Sequence, residues 1–318
     1  MSSLDDFGHL RIPLKDILSA TNNFDEDNFI GGDDFGNHYQ GQLMRSGELI
    51  KIHARRWLNK ESDDEKEQQF WMEISMLSTL KHKNLVSLVG FCSENDELIT
   101  VIKFETRLSL ENYLSDPRLL TWVRRLEICV GVAHALSYIH YDEPRDFSVI
   151  HRNIDSEIVV LNDNWEPKIG EFRLSMKIKA SQRHDSFCVD KVWDREGYTD
   201  PTYIETKNAS HKSDIYSFGI VMFELLCGRK AVINDGQDNK YLASVAVTHY
   251  REKKLDEIID WNLWSQMDSQ SFDFFAKTAY DCLNEERSQR PNIDEIVTRL
   301  ERALELQLEH ENELELPK

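Results

Sequence analysis

Val149-Ile150-His151-Arg152-Asn153-Ile154-Asp155-Ser156-Glu157-Ile158-Val159-Val160-Leu161, followed shortly by Lys168-Ile169-Gly170-Glu171-Phe172-Arg173, is the stretch on which the reading of this chain turns. Asn153 is neutral and cannot act as a carboxylate base. Ile158 has no lone pair to offer a metal ion. Glu171 has the reach to hold a single ion, but Arg173 brings a cation beside it and is a ready internal partner. We therefore expect Arg173 to stand in for a metal ion at this point of the chain.

Upstream of that stretch, residues 120–140 set Trp122, Leu126, Val130, Ala133, Leu136 and Ile139 at helical spacing, and His134 and His140 on the same helix read as packing residues. Phe70, Ile74 and Leu77 form one stripe of a helix over residues 70–80. Strands are expected over residues 49–58 and 98–104, with another given by Lys81-His82-Lys83-Asn84-Leu85-Val86-Ser87-Leu88-Val89-Gly90-Phe91-Cys92. Ile30-Gly31-Gly32-Asp33-Asp34-Phe35-Gly36-Asn37-His38-Tyr39-Gln40-Gly41 reads as strand, turn, strand, its glycines leaving backbone N–H groups open to close approach. Leu14, Ile17 and Leu18 suit one face of a short helix within residues 10–29. Downstream stand Ser213-Asp214-Ile215-Tyr216-Ser217-Phe218-Gly219 and Arg290-Pro291-Asn292-Ile293, the latter expected to open a long helix with proline in its first turn. Beyond Leu306 a Leu/Glu pattern reads as a solvated helix end.

At 318 residues and 40% hydrophobic content the chain can bury a core large enough for two lobes. A formal net charge of -19 argues against nucleic-acid or anionic-membrane binding, since such partners are held by clustered Lys and Arg. The five cysteines, Cys92, Cys129, Cys188, Cys227 and Cys282, show no CxxC pair, so reduced thiols are expected. No apolar run is long enough to span a bilayer and no signal-peptide or myristoylation pattern opens the chain, so a cytoplasmic location is expected, with recruitment to the plasma membrane through a partner.

Over residues 10–304 these motifs together resemble the protein-kinase domain of plant receptor-like and receptor-like cytoplasmic kinases. The resemblance implies an α+β, two-lobed protein-kinase-like fold: a small lobe (26–104) with a five-stranded antiparallel sheet plus a regulatory helix, and a mainly helical large lobe (105–305). Residues 1–25 would be a lead-in and residues 306–318 an acidic tail.

The same resemblance assigns roles, and at the reaction centre no catalytic residue is intact. Asn153 stands at the catalytic Asp, Asp155 at the catalytic Lys, Ile158 at the second magnesium ligand, and Glu171 and Arg173 flank Phe172 where Asp and Gly are the rule. Nucleotide-binding candidates are Ile30, Gly31, Gly36, His38, Ala54, Arg56, Glu73, Lys103, Glu105 and Val160, with Asp33 at the second glycine of the loop and Ile102 as gatekeeper. Two registers are open on the third strand; the preferred one puts Arg56 at the phosphate-gripping lysine, paired with Glu73, and the other puts His53 there. His151, Arg152, Phe172, Asp214 and Arg290 are scaffold positions. Thr202 stands where Arg290 should find a Glu, which would loosen that corner unless Glu205 substitutes. Arg195 replaces a Thr that touches the catalytic Asp and Lys. Phosphosite candidates are Ser181, Ser186 and Thr199, with Arg152 to receive the phosphate.

The implied function is that of a catalytically impaired protein-kinase-like protein, a pseudokinase, serving as a signalling scaffold or allosteric partner in plant receptor-kinase signalling or immunity. Its partners would be other proteins, an active receptor or cytoplasmic kinase among them. A weak Ser/Thr kinase and a metal-independent nucleotide-binding switch are the alternatives. ATP is left as a candidate ligand and magnesium is disfavoured.

Overall fold

The computed structural model describes residues 4–58, 63–107, 109–141, 144–233 and 240–315, so residues 1–3 of the expected lead-in and 316–318 of the expected tail lie outside the described residues. Two compact units emerge: one takes the chain up to Thr106 together with Glu171–Leu174, the other Arg107–Gly170 and the chain from Ser175 onward.

The first unit is built on an antiparallel sheet of five strands, β1 (Phe29–Gly32), β2 (Gly36–Arg45), β3 (Glu48–Trp57), β4 (Leu88–Glu94) and β5 (Glu97–Lys103), in the order β1-β2-β3-β5-β4. Side chains alternate across a strand, so β3 sends Ile52 and Ala54 to one face and Trp57 to the other. Each face has its own helix. On one, Ile52, Ala54, Ile99 and Val101 pack with Ile12 and with Ile17 of α1 (Leu14–Ala20). On the other, Trp57 and Phe91 pack with Phe70 and Ile74 of α2 (Asp63–Thr79), and the Phe70 ring meets Trp57 at 5.9 Å and Phe91 at 6.0 Å in edge contacts.

The segment expected as a lead-in is thus part of the sheet's core. Ile12 N–H donates to Phe91 O at 2.8 Å, extending the β4 edge. Two glycines make room for it: a Cβ on Gly90 would lie 2.3 Å from Leu10 O, and one on Gly41 would lie 2.5 Å from Ala20 O.

The second unit is mainly helical. It contains α3 (Trp122–Tyr141), α4 (Pro201–Thr206), α5 (His211–Cys227), α6 (Leu242–Glu252), α7 (Trp261–Trp264), α8 (Ser269–Cys282) and α9 (Ile293–Glu315). Three two-stranded pieces join them: β6 (Phe147–Ile150) with β9 (Met176–Lys179), β7 (Val159–Leu161) with β8 (Pro167–Ile169), and β10 (Phe187–Cys188) with β11 (Asn208–Ala209). Arg125 is buried in α3, where its guanidinium closes the carbonyls of Leu120, Leu225 and Leu114 at 2.7, 2.7 and 2.9 Å. Buried cations are tolerated only with such full hydrogen bonding.

Two details depart from the sequence reading. Asn292, whose side chain accepts from Glu295 N–H at 2.9 Å, opens α9, so Pro291 precedes the helix instead of occupying its first turn. The helix then runs on to Glu315, and the described part of the acidic tail is its last turns.

Candidate functional site

The glycine-containing turn between β1 and β2 is closed by its own carboxylate. Asp33 accepts the backbone N–H of Phe35 at 2.8 Å and of Gly36 at 2.7 Å, and its other oxygen accepts the Arg55 guanidinium at 2.7 Å. Short polar side chains make such local turns with their own backbone. His38, on β2, brings Nε2 to 3.4 Å from Asp33 and shares a 2.7 Å hydrogen bond with His53 of β3. Burial resists ionisation of Asp33, but His38, Arg55 and the Phe35 N–H outweigh it and hold the carboxyl well below its usual range. Burial, with His38 and Arg55 nearby, pushes His53 down to about 3.

Arg55 is the centre of the cluster. Its Nη1 donates to both carboxylate oxygens of Glu171 at 2.6 Å, while Nη2 takes Asp33. Glu171 is held with left-handed backbone (φ 61) at the head of a short 3-10 turn, Phe172–Leu174, which packs on α2. Arg173 donates to Glu171 at 3.1 Å and to Gln69 of α2 at 3.3 Å, and its guanidinium lies 3.5 Å over the Phe35 ring. Burial opposes the charge on Glu171, but Arg55 and Arg173 prevail and its carboxyl is lowered. Glu73, also buried on α2, is raised by burial and by facing Glu171, and one of its oxygens has no hydrogen-bond partner.

This geometry corrects the expected register of the third strand by one residue. Ala54 is fully buried against α1, and Arg56 lies on that same side of β3, where it pairs with Glu97 of β5 (Nε to Oε2, 2.8 Å) and not with Glu73. His53 and Arg55 alternate to the other face, and Arg55 supplies the cation facing Glu73 and Glu171. No local signal separates the two registers: Arg55 and Arg56 are adjacent arginines, and only the distant carboxylates Asp33 and Glu171 select Arg55 as the buried cation. Among the other candidates, Ile30 and Gly31 lie on β1, Gly36 opens β2, Lys103 ends β5 with its N–H on Ser87 O at 2.8 Å, and Glu105 follows it. Ile102 pairs with His53 in the sheet.

In the second unit, the loop after β6 hangs from one buried carboxylate. Asp214 of α5 accepts the backbone N–H groups of His151 and Arg152, both at 2.8 Å, and His140 Nε2 at 2.9 Å. Arg152 sits at φ 67 and donates to the Tyr203 hydroxyl at 2.7 Å. His151 Nε2 meets Gly170 O at 3.0 Å. Asp155 is buried, accepts Glu157 and Ile158 N–H at 2.8 and 3.0 Å, and pairs with Arg195 at 2.9 Å. Burial raises its carboxyl to about 6 despite Arg195. Arg195 also reaches Glu157, so the position expected to hold Thr is filled by a cation bridging two carboxylates. Ile158 is buried with its carbonyl facing Gly170 N–H, and Val160 pairs with Lys168 in β7–β8. Asn153 lines a small hollow with Arg152, Arg195 and Thr199.

A second correction falls at Arg290. Its guanidinium takes Asp200 in two hydrogen bonds, at 2.9 and 3.0 Å, and Arg287 adds a third at 2.9 Å. Asp200, two residues before Thr202, thus keeps the corner closed without Glu205. Of the phosphosite candidates, Ser181 and Ser186 are exposed, while the Thr199 hydroxyl is engaged with Arg195 N–H at 2.7 Å and Arg195 O at 3.2 Å.

Among the described residues no helix is long and apolar enough to cross a membrane. The family model for protein tyrosine and serine/threonine kinases matches residues 24–300. Relatives from Arabidopsis thaliana include the receptor-like protein kinases HERK 1, 35% identical over 96% of this chain and 36% of the relative, and ANXUR2, 35% identical over 93% and 34%. The receptor-like protein kinase FERONIA is also 35% identical, over 92% of this chain and 32% of its own length. The chain therefore spans about a third of the length of these curated relatives. With five antiparallel strands, a packed regulatory-type helix and a helical second unit, the chain belongs to the protein tyrosine and serine/threonine kinase family, with plant receptor-like kinases as relatives.

Proposed function

We infer that this protein is a catalytically impaired member of its family, a pseudokinase that works by binding other proteins in receptor-kinase signalling. The observation that carries this reading is the Asp33–Arg55–Glu171 arrangement. Backbone N–H groups of a glycine turn and a strand cation are what a triphosphate needs. Here Asp33 takes Phe35 N–H, Gly36 N–H and one arm of Arg55, acting as an internal substitute for a phosphate oxygen.

The magnesium–nucleotide pair that the family implies does not fit these residues. Both Glu171 oxygens are engaged by Arg55 and one also by Arg173, so an ion there is repelled by two guanidinium groups that already share the carboxylate. Ile158 offers none, and Asn153 cannot take a hydroxyl proton. Asp155 puts a carboxylate where catalysis needs a cation, an inversion of a term ordinarily worth about 3–4 kcal/mol. A partner kinase would find Ser181 and Ser186 accessible.

Isothermal titration with ATP, once with magnesium and once with EDTA, tests the reading. No heat of binding in either buffer is expected. Magnesium-dependent binding would overturn it in favour of a weak kinase, and equal binding in both would point to a metal-free nucleotide switch. The Arg173→Gly variant separates the metal from the nucleotide: if Arg173 fills the cation's place, magnesium affinity rises in the variant.

A further inference from the structure

Trp261 is 75% exposed, the most exposed large apolar side chain among the described residues. Its exposure is built in. Asp260 caps α7 by accepting Asn262 N–H at 2.8 Å, Leu263 is fully buried, and Trp264 turns inward to meet the Phe272 ring at 4.9 Å. Gln266 then ties the end of this turn down, accepting Trp122 N–H at 3.0 Å and donating to Asn262 O at 2.7 Å. A helix held on its inner side by Leu263 and Trp264 keeps the Trp261 backbone in place with its indole outward, so the backbone need not be ordered on binding.

The stretch of chain that carries this indole is acidic. From Lys254 to Lys277 the chain has no intervening Lys, Arg or His, but it has five carboxylates, Asp256, Glu257, Asp260, Asp268 and Asp273. Asp256 and Glu257 are exposed and have no ion pair among the described residues. Of the cations just upstream, Lys254 is taken by Glu252 and Arg251 donates to the Tyr280 hydroxyl. Lys254 also feels the charge of Glu257, and buried Arg125 that of Asp260, but neither forms an ion pair with them among the described residues. An exposed aromatic anchor within five residues of three carboxylates suits a cation that stacks on the ring while its neighbours find carboxylates.

We propose that Trp261 with Asp256, Glu257 and Asp260 is a docking surface for a basic segment of a partner protein, in which Arg or Lys alternates with apolar side chains. The overall charge of -19 steers such a partner in and repels phosphate-bearing surfaces. This surface does not depend on whether the protein transfers phosphate.

Fluorescence anisotropy of a short labelled peptide of Arg, Leu and Gly, with its Glu-for-Arg counterpart as control, tests the proposal on the full chain. Trp261→Ala is expected to weaken binding roughly tenfold or more and Trp261→Phe to retain most of it. The pair Asp256→Asn and Glu257→Gln should weaken binding and flatten its salt dependence. Glu311→Gln with Glu313→Gln, which removes equal charge from α9, should change little. Equal loss in the α9 variant would reduce the effect to bulk charge and overturn the proposal, as would undiminished binding by Trp261→Ala. Concentration-dependent self-association that Trp261→Ala abolishes, seen by sedimentation, would assign the surface to a second copy instead. Matching melting temperatures for the variants exclude loss of fold as the cause.

Discussion

Asp33 and Arg55 meet at 2.7 Å, and the carboxylate that makes this bond also accepts two backbone N–H groups of its own turn. One anion therefore closes the turn and neutralises the strand cation. Replacing Asp33 by Gly removes the anion, frees both N–H groups and leaves Arg55 with Glu171 alone. Binding of ATP in EDTA, not expected for the parent, should become detectable, since a charge-assisted hydrogen bond is worth about 1.5–3 kcal/mol and the nucleotide inherits part of it. Stability should fall by a comparable amount in urea denaturation. A variant that gains no nucleotide affinity would show that Asp33 is not what keeps phosphate out.

Neighbouring arginines on β3 should behave very differently. Arg55 is buried between carboxylates, and Arg55→Ala leaves Glu171 with Arg173 alone and Asp33 with His38 and its turn, a loss of about 3 kcal/mol. Arg56 faces the other way, is partly exposed and pairs with Glu97, so Arg56→Ala should cost about 1 kcal/mol or less. Urea midpoints of the two variants measure the difference directly. Equal losses would restore the register in which Arg56 is the inward cation.

That register was the part of the site least legible in the sequence. The helices α2 and α3 announce themselves because their apolar spacing has one consistent period, and burial of Phe70, Ile74 and Leu77 follows from it. On β3 the residues from His53 to Arg56 are three long polar side chains and an alanine, and no apolar period decides which pair faces inward. The choice is made by groups far away in the chain, Glu171 and Asp33, which one-dimensional spacing does not locate. Asp200 was missed for the same reason: Arg287 and Arg290 approach it from nearly ninety residues downstream. Local substitutions such as Asn153, Asp155 and Ile158 needed no such long-range information.

The first helix should prove inseparable from the sheet. Gly90 lets the segment around Leu10–Ile12 lie against β4, where a Cβ would collide with Leu10 O and with the Ile12 side chain at 2.8 Å. Gly90→Ala must push that segment off, and overpacking of this kind costs about 1–3 kcal/mol. Hydrogen exchange at Ile12 N–H, which is bonded to Phe91 O, should accelerate in the variant while exchange in α3 stays unchanged. Unchanged protection at Ile12 would mean the lead-in is a loose attachment.

Two stacked histidines in the second unit set an acid limit on stability. His140 and His211 lie ring to ring at 4.0 Å, both buried, beneath the Asp214 carboxylate that holds the loop after β6. Burial is the main cause that pushes His140 down to about 3, with Arg145 adding to it, and that pushes His211 down to about 2, with His140 adding to it. Both rings are thus neutral in the folded protein while the unfolded chain takes up protons near pH 6.5. The unfolded state binds more protons below that value, so their contribution is complete above pH 6.5 and is lost as pH falls towards the folded values. Each ring accounts for a slope of about 1.4 kcal/mol per pH unit. His211→Gln removes one of these protonation sites, so the stability difference between wild type and variant should shrink by about 2 kcal/mol between pH 6.5 and 5. Urea denaturation at the two pH values reads it, and parallel losses in both proteins would mean that His211 takes up its proton without unfolding.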